Sequence, residues 1–245
     1  MRNLPRALGR GGLILLWLSG GAVVLVAVFP WLRHSPRRRD AIRLSWFRGL
    51  GRILGLRLET CGRPASGPVL VVANHISWLD IVVLGCQAPM TFVAKAEVAS
   101  WPLLGFLARH SGTLFIARRD LRNIRQVNQA VTKRLQNGER VVIFPEGTTT
   151  PGNQVLPFTS ALLQAAIDAR APVQPVTLQY PGETATAAPF IGDDTFLASL
   201  WRILRLSRVE ARCRWHPPLR GGRRRILADR ARDLIAATFP ERLAG

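Results

Sequence analysis

His75 and Asp80 stand five residues apart in the segment Asn74-His75-Ile76-Ser77-Trp78-Leu79-Asp80. An imidazole titrates near neutral pH, so His75 is a candidate general base. A carboxylate five positions later, across the first turn or so of a helix, can reach one ring nitrogen. There it fixes the tautomer and stabilises the imidazolium that forms. The pair also has a plainer reading, because an Asp in a first helical turn favours the helix dipole whatever the His does. A second segment, Phe144-Pro145-Glu146-Gly147-Thr148-Thr149-Thr150, offers a Glu that can orient a neighbour or accept from a substrate hydroxyl. Gly147 lets the backbone come close to a ligand, and adjacent amides can bind an oxyanion or phosphate. A third, Gly112 to Arg119, ends in Arg118 and Arg119, guanidinium groups suited to a bidentate grip on phosphate. Lys95 is one of only two lysines, with Lys133, and joins the phosphate candidates. Against these stand an ordinary strand-to-loop turn and solvated surface arginines.

The elements around these segments explain why they gather. Pro68-Val69-Leu70-Val71-Val72 is a short apolar run that reads as a buried strand leading into His75. Val141 to Phe144 is a second such run, leading into Glu146, and Val173 to Leu178, broken by Pro175, is a third. Helical patterns fall between them, at Leu79–Cys86, Trp101–His110, Ile124–Asn137 and Ser160–Ala169, with Ile226–Phe239 following the last strand. Strands alternating with helices predict an α/β domain whose mixed, largely parallel sheet is flanked by helices. In such sheets ligand groups collect at the carboxyl ends of the strands, where all three segments lie.

The first 60 residues are of another kind. Gly11–Phe29 carries no charge, and as a helix these residues reach about 28 Å, close to the ~30 Å of a hydrocarbon core. A signal peptide shares the basic start and apolar stretch, but no small-x-small cleavage site follows, so an uncleaved anchor is expected. Arginines flank the stretch on both sides, which suits a helix that dips and returns as well as one that spans. Ala41–Leu58 reads as an amphipathic helix lying at an interface or packed on the domain. The loop Gly62–Pro68 marks a boundary, giving an anchor segment over 1–60 and an α/β domain over 61–245.

Charge follows the same division. The net charge is +19, with +9 in residues 1–60, +8 in 200–245 and only +2 between them. Cationic ends beside apolar sequence predict an anionic membrane face as partner. Nucleic acid is set aside because no binding motif accompanies the charge. Cys61, Cys86 and Cys213 are odd in number and widely spaced, with no metal-ligand pattern, and predict free buried thiols in a reducing compartment.

Three segments in this order resemble the glycerolipid acyltransferase family, in particular bacterial 1-acylglycerol-3-phosphate acyltransferases. The resemblance rests on NHxSWLD at 74–80, GxxFIxR at 112–118 and FPEGT at 144–148, with a weaker match at Ala171 to Val176, and covers roughly residues 65–180. It implies that His75 deprotonates an acceptor hydroxyl, that Asp80 supports His75, and that the acyl group passes directly from a thioester of acyl carrier protein or coenzyme A. It further implies that Arg118, Arg119 and Lys95 hold an acceptor phosphate, that Asn74, Glu146, Gly147 and Thr148 contact substrate, and that neither metal nor cofactor is needed. The sn-2 hydroxyl of 1-acylglycerol-3-phosphate is the implied acceptor, at the cytoplasmic face of a bacterial inner membrane. The family often has an acidic residue where this chain has Ala117, which keeps another acceptor such as a lyso-ornithine lipid in view. A non-catalytic membrane lipid-binding protein is the reading from a different class.

Overall fold

The computed structural model describes residues 3–117 and 120–239. In chain order the elements are α1 (Leu4–Ala27), α2 (Pro36–Leu54), β1 (Leu56–Cys61), β2 (Val69–Ala73), α3 (Leu79–Gly85), β3 (Thr91–Lys95), α4 (Leu104–His110) and β4 (Leu114–Ile116). They continue with α5 (Leu121–Gln136), β5 (Arg140–Ile143), α6 (Gln164–Asp168), β6 (Val173–Gln179), α7 (Thr184–Ala187), α8 (Phe196–Arg205), β7 (Val209–Trp215) and α9 (Arg224–Ala236).

One seven-stranded sheet runs in the order β1-β7-β6-β2-β5-β3-β4. Every pairing is parallel except β6 with β7. All five residues of β2 are fully buried, because the sheet is covered on both faces. Val69, Val71 and Ala73 join the core shared with α1, α2, α3 and α8, while Leu70 and Val72 join the core under α5, α6 and α9. That alternation is the period-2 signature of a strand, hidden in sequence because both faces are apolar.

Two expectations at the amino end need correcting. The amphipathic helix expected over 41–58 spans Pro36–Leu54 instead. Gly55 takes a left-handed conformation at φ 74° and closes it, as glycine does at helix ends. Residues 56–61 then form β1, an edge strand of the main sheet, so the sheet begins before the boundary expected after residue 60. The strand over 173–179 also runs through Pro175 without a break.

The α1 helix is long and apolar enough to cross a membrane. A narrow stripe of it, Ala7, Ile14, Leu18 and Gly21, is buried against the domain, while Leu8, Leu15, Leu16, Val23 and Val26 are exposed. Trp17 donates through Nε1 to the Trp46 carbonyl at 3.1 Å, and Gly49 leaves the space its indole occupies. Cys86 is half-buried and Cys213 buried, but Cys61 is exposed, unlike the buried thiol expected; none of the three is in a disulfide.

Candidate active site

The parallel pairings put the carboxyl ends of β2, β5, β3, β4 and β6 at one edge of the sheet. His75 follows β2 there, with its side chain 19% exposed, while Asp80 in the first turn of α3 is completely buried. His75 Nδ1 lies 2.7 Å from Asp80 Oδ2. The same oxygen accepts the backbone N–H of Ile76 at 2.8 Å and of Ser77 at 3.0 Å. Tyr180, just past β6, donates its hydroxyl to Asp80 Oδ1 at 2.6 Å. With the carboxylate serving as acceptor throughout, Nδ1 carries the proton and Nε2 is the basic nitrogen. Phe144 stacks on the imidazole with ring centres 4.0 Å apart and planes 16° from parallel, which holds the ring's orientation.

The segment Phe144 to Thr150 fastens the backbone of His75 at both ends. Glu146 Oε1 accepts the His75 N–H at 2.8 Å, and Oε2 accepts the N–H of Leu156 at 2.9 Å. Thr150 donates its N–H to the His75 carbonyl at 2.8 Å. Burial pushes the Glu146 carboxyl above its ordinary value, against the pull of the Leu156 and His75 amides. Burial, then the nearby Asp80 charge, raise the Tyr180 hydroxyl well above the usual tyrosine range. The same two causes lift the Cys213 thiol to about 12, so it is an inert neighbour of the site.

Several residues expected to touch substrate do something else. Asn74 is fully buried, and its amide spans to β6, donating to the Leu178 carbonyl at 2.9 Å and accepting the Leu178 N–H at 2.8 Å. It extends the β2–β6 ladder past Ala73 and has no face left for a ligand. Both oxygens of Glu146 are likewise taken up by backbone amides. Gly147, at φ 80°, uses its own N–H to close the turn to Phe144 at 3.1 Å, so that amide is not aimed at an anion. Thr148 is exposed at the loop. Lys95 is exposed at the end of β3, in register with Ile116, two strands beyond β2 on the same edge. Arg118 and Arg119 lie outside the described residues.

Sequence reasoning missed Tyr180 and Phe144 as parts of the site. Tyr180 is the only tyrosine of the chain, the one signal that was on view. It also missed the roof over the motif. Trp78 donates to Ser199 Oγ of α8 at 3.0 Å and meets Phe196 edge-on at 5.3 Å, and Phe190 donates its N–H to the Ile76 carbonyl at 3.0 Å. Among the described residues no group of three or more His, Cys, Asp or Glu could hold a metal. The arrangement is a base on an oriented imidazole, suited to deprotonating a hydroxyl that arrives from outside.

The description of one protein family, acyltransferase, matches residues 58–179. A lyso-ornithine lipid O-acyltransferase of Pseudomonas aeruginosa is 42% identical over 208 residues, covering 84% of this chain and 80% of that protein. A 1-acyl-sn-glycerol-3-phosphate acyltransferase of Neisseria meningitidis is also 42% identical, over 182 residues covering 72% of this chain and 71% of its own. A crystal structure of a 1-acyl-sn-glycerophosphate acyltransferase from Thermotoga maritima shares the fold, with a TM-score of 0.67 over 96% of this chain and 94% of that one at 21% identity.

Proposed function

The chain belongs to the acyltransferase family, and from that premise we propose that His75 and Asp80 transfer a fatty acyl group from a thioester to the hydroxyl of a lysolipid at a membrane surface. The observation that carries this is the 2.7 Å contact of His75 Nδ1 with a buried Asp80 that three further donors hold, which leaves Nε2 as the base. Nε2 takes the acceptor's hydroxyl proton as its oxygen attacks the thioester carbonyl. The tetrahedral intermediate collapses, the thiolate leaves, and the imidazolium returns the proton to it. Acyl transfer is direct, and acyl carrier protein or coenzyme A is the leaving thiol. The acceptor is the sn-2 hydroxyl of 1-acylglycerol-3-phosphate, its phosphate held by Arg118 with Arg119 and Lys95. The exposed apolar side of α1 supports delivery of such a substrate from a bilayer. The cytoplasmic face of a bacterial inner membrane is the proposed location.

A lyso-ornithine lipid is the second reading of the acceptor. It is favoured by the Pseudomonas relative, which matches at equal identity over a longer stretch, and by Ala117, where the family often has an acidic residue. Purified enzyme assayed with a panel of lysolipids separates the two: the preferred acceptor shows the higher kcat/KM. In the same assay His75→Ala and Asp80→Ala each lose acyl transfer by a factor of about 10³ or more while remaining folded and membrane-bound. Full activity in His75→Ala overturns the mechanism.

A further inference from the structure

Four arginines from four separate places converge on a cavity of about 530 Å³ that none of the motifs above includes. Arg10 comes from α1, Arg52 from the last turn of α2, Arg57 from β1, and Arg208 from the loop between α8 and β7. Among the described residues no acidic side chain lines it; the other walls are Gly55, Leu56 and Ser207. Arg208 pairs with Glu210 at 2.9 Å, but among the described residues the other three have no carboxylate within salt-bridge distance. A run of arginines on one helix face spreads into solvent at little cost. Four cations brought together by the fold repel one another unless an anion sits among them.

Arg10 is built into place. Its Nη1 donates to the Leu206 carbonyl at 2.7 Å and its Nη2 to the Ser207 carbonyl at 3.1 Å, at the carboxyl end of α8. Its guanidinium packs against Gly55, where a Cβ would press on it. Arg52 and Arg57 are exposed and free to close on a ligand.

The sheet register gives the cavity its address. Because β7 runs antiparallel to β6, and β1 parallel to β7, the starts of β1 and β7 lie at the edge where β6 and β2 end. The cavity is therefore on the His75 edge, three strands from β2, or about 14 Å at the usual strand spacing. One wall is α1, which exposes Leu8, Leu13, Leu15, Leu16, Val23 and Val26 along its length and Arg6 beside Arg10. We propose that Arg10, Arg52, Arg57 and Arg208 bind the phosphate of an anionic phospholipid headgroup, at a site separate from the acceptor's and level with the catalytic edge. Its logic does not depend on which lysolipid is acylated.

The test uses the full chain and vesicles of phosphatidylcholine with or without phosphatidylglycerol. Wild type binds the anionic vesicles more tightly. Arg52→Gln/Arg57→Gln loses that increment, about tenfold or more at two charges, and keeps the binding to phosphatidylcholine alone that α1 supplies. Arg223→Gln/Arg225→Gln removes the same charge from elsewhere and keeps the increment. If both double variants lose it equally, the effect is net charge and the site is refuted. A soluble phosphate ester is the other source of the same chemistry. Should Arg52→Gln/Arg57→Gln instead raise KM for a coenzyme A thioester and leave the vesicle increment unchanged, the lipid assignment is overturned.

Discussion

Asp80 accepts four hydrogen bonds, and the one from Tyr180 is the least expected of them. Tyr180→Phe keeps the ring and removes that donor alone. The carboxylate that orients the imidazole is then held by three donors instead of four, and kcat falls about tenfold with KM for both substrates unchanged. A lower melting temperature with kcat unchanged would leave Tyr180 only a packing role. Glu146 makes a pH prediction. Its carboxyl is raised in the folded state by burial, so the folded chain holds this proton beyond the ordinary value of 4.5. Stability from this group is complete below 4.5 and is lost as pH rises through the folded value. Glu146→Gln flattens that slope in thermal melts across the interval. It also lowers kcat, because one of the two backbone N–H groups then faces an amide donor. His75 and Asp80 were legible in the sequence because they are local to one another and follow an apolar strand. Tyr180 lies 100 residues from Asp80, and only the β2–β6 pairing brings it close.

Elements explain both what sequence patterning caught and what it missed. The strands β2, β5 and β6 stood out as apolar runs because they are buried on both faces. The expected end of α2 falls four residues too late because Leu56 and Leu58 continue its apolar pattern, although Gly55 is the stop signal. β1 and β7 escaped notice because Glu59, Arg212 and Arg214 interrupt them at a partly exposed margin of the sheet. Asn74 looked like a ligand contact because it adjoins His75, whereas it ties two strands together. Asn74→Ala leaves the Leu178 N–H and C=O unpaired in the interior. A loss of about 2–4 kcal/mol in denaturant unfolding is expected, with activity falling as the His75 loop loosens.

At the scale of the whole molecule, α1 is part of the fold as well as an apolar surface. Ala7, Ile14, Leu18 and Gly21 fill a stripe on the domain, and Arg10 closes the end of α8. Deleting residues 1–30 also uncovers Leu204, which lies against Gly11 of α1. The truncated chain is expected to melt at lower temperature, at about 1.5–3 kcal/mol per uncovered Leu or Ile, and to need detergent even without its apolar helix. Sedimentation with and without detergent checks this; a stable, soluble truncated domain would make α1 a detachable tether. The fastening of His75 by Glu146 and Thr150, and of Asp80 by Tyr180, has a consequence for how the protein is made. A growing chain emerges amino end first, so α1 can settle on lipid while β5 and β6 are still unsynthesised. Until residue 180 has left the ribosome the imidazole has neither its backbone anchors nor its complete carboxylate partner. Nascent chains already at the membrane therefore lack the assembled His75–Asp80 site, which forms only after β6 and Tyr180 have been synthesised.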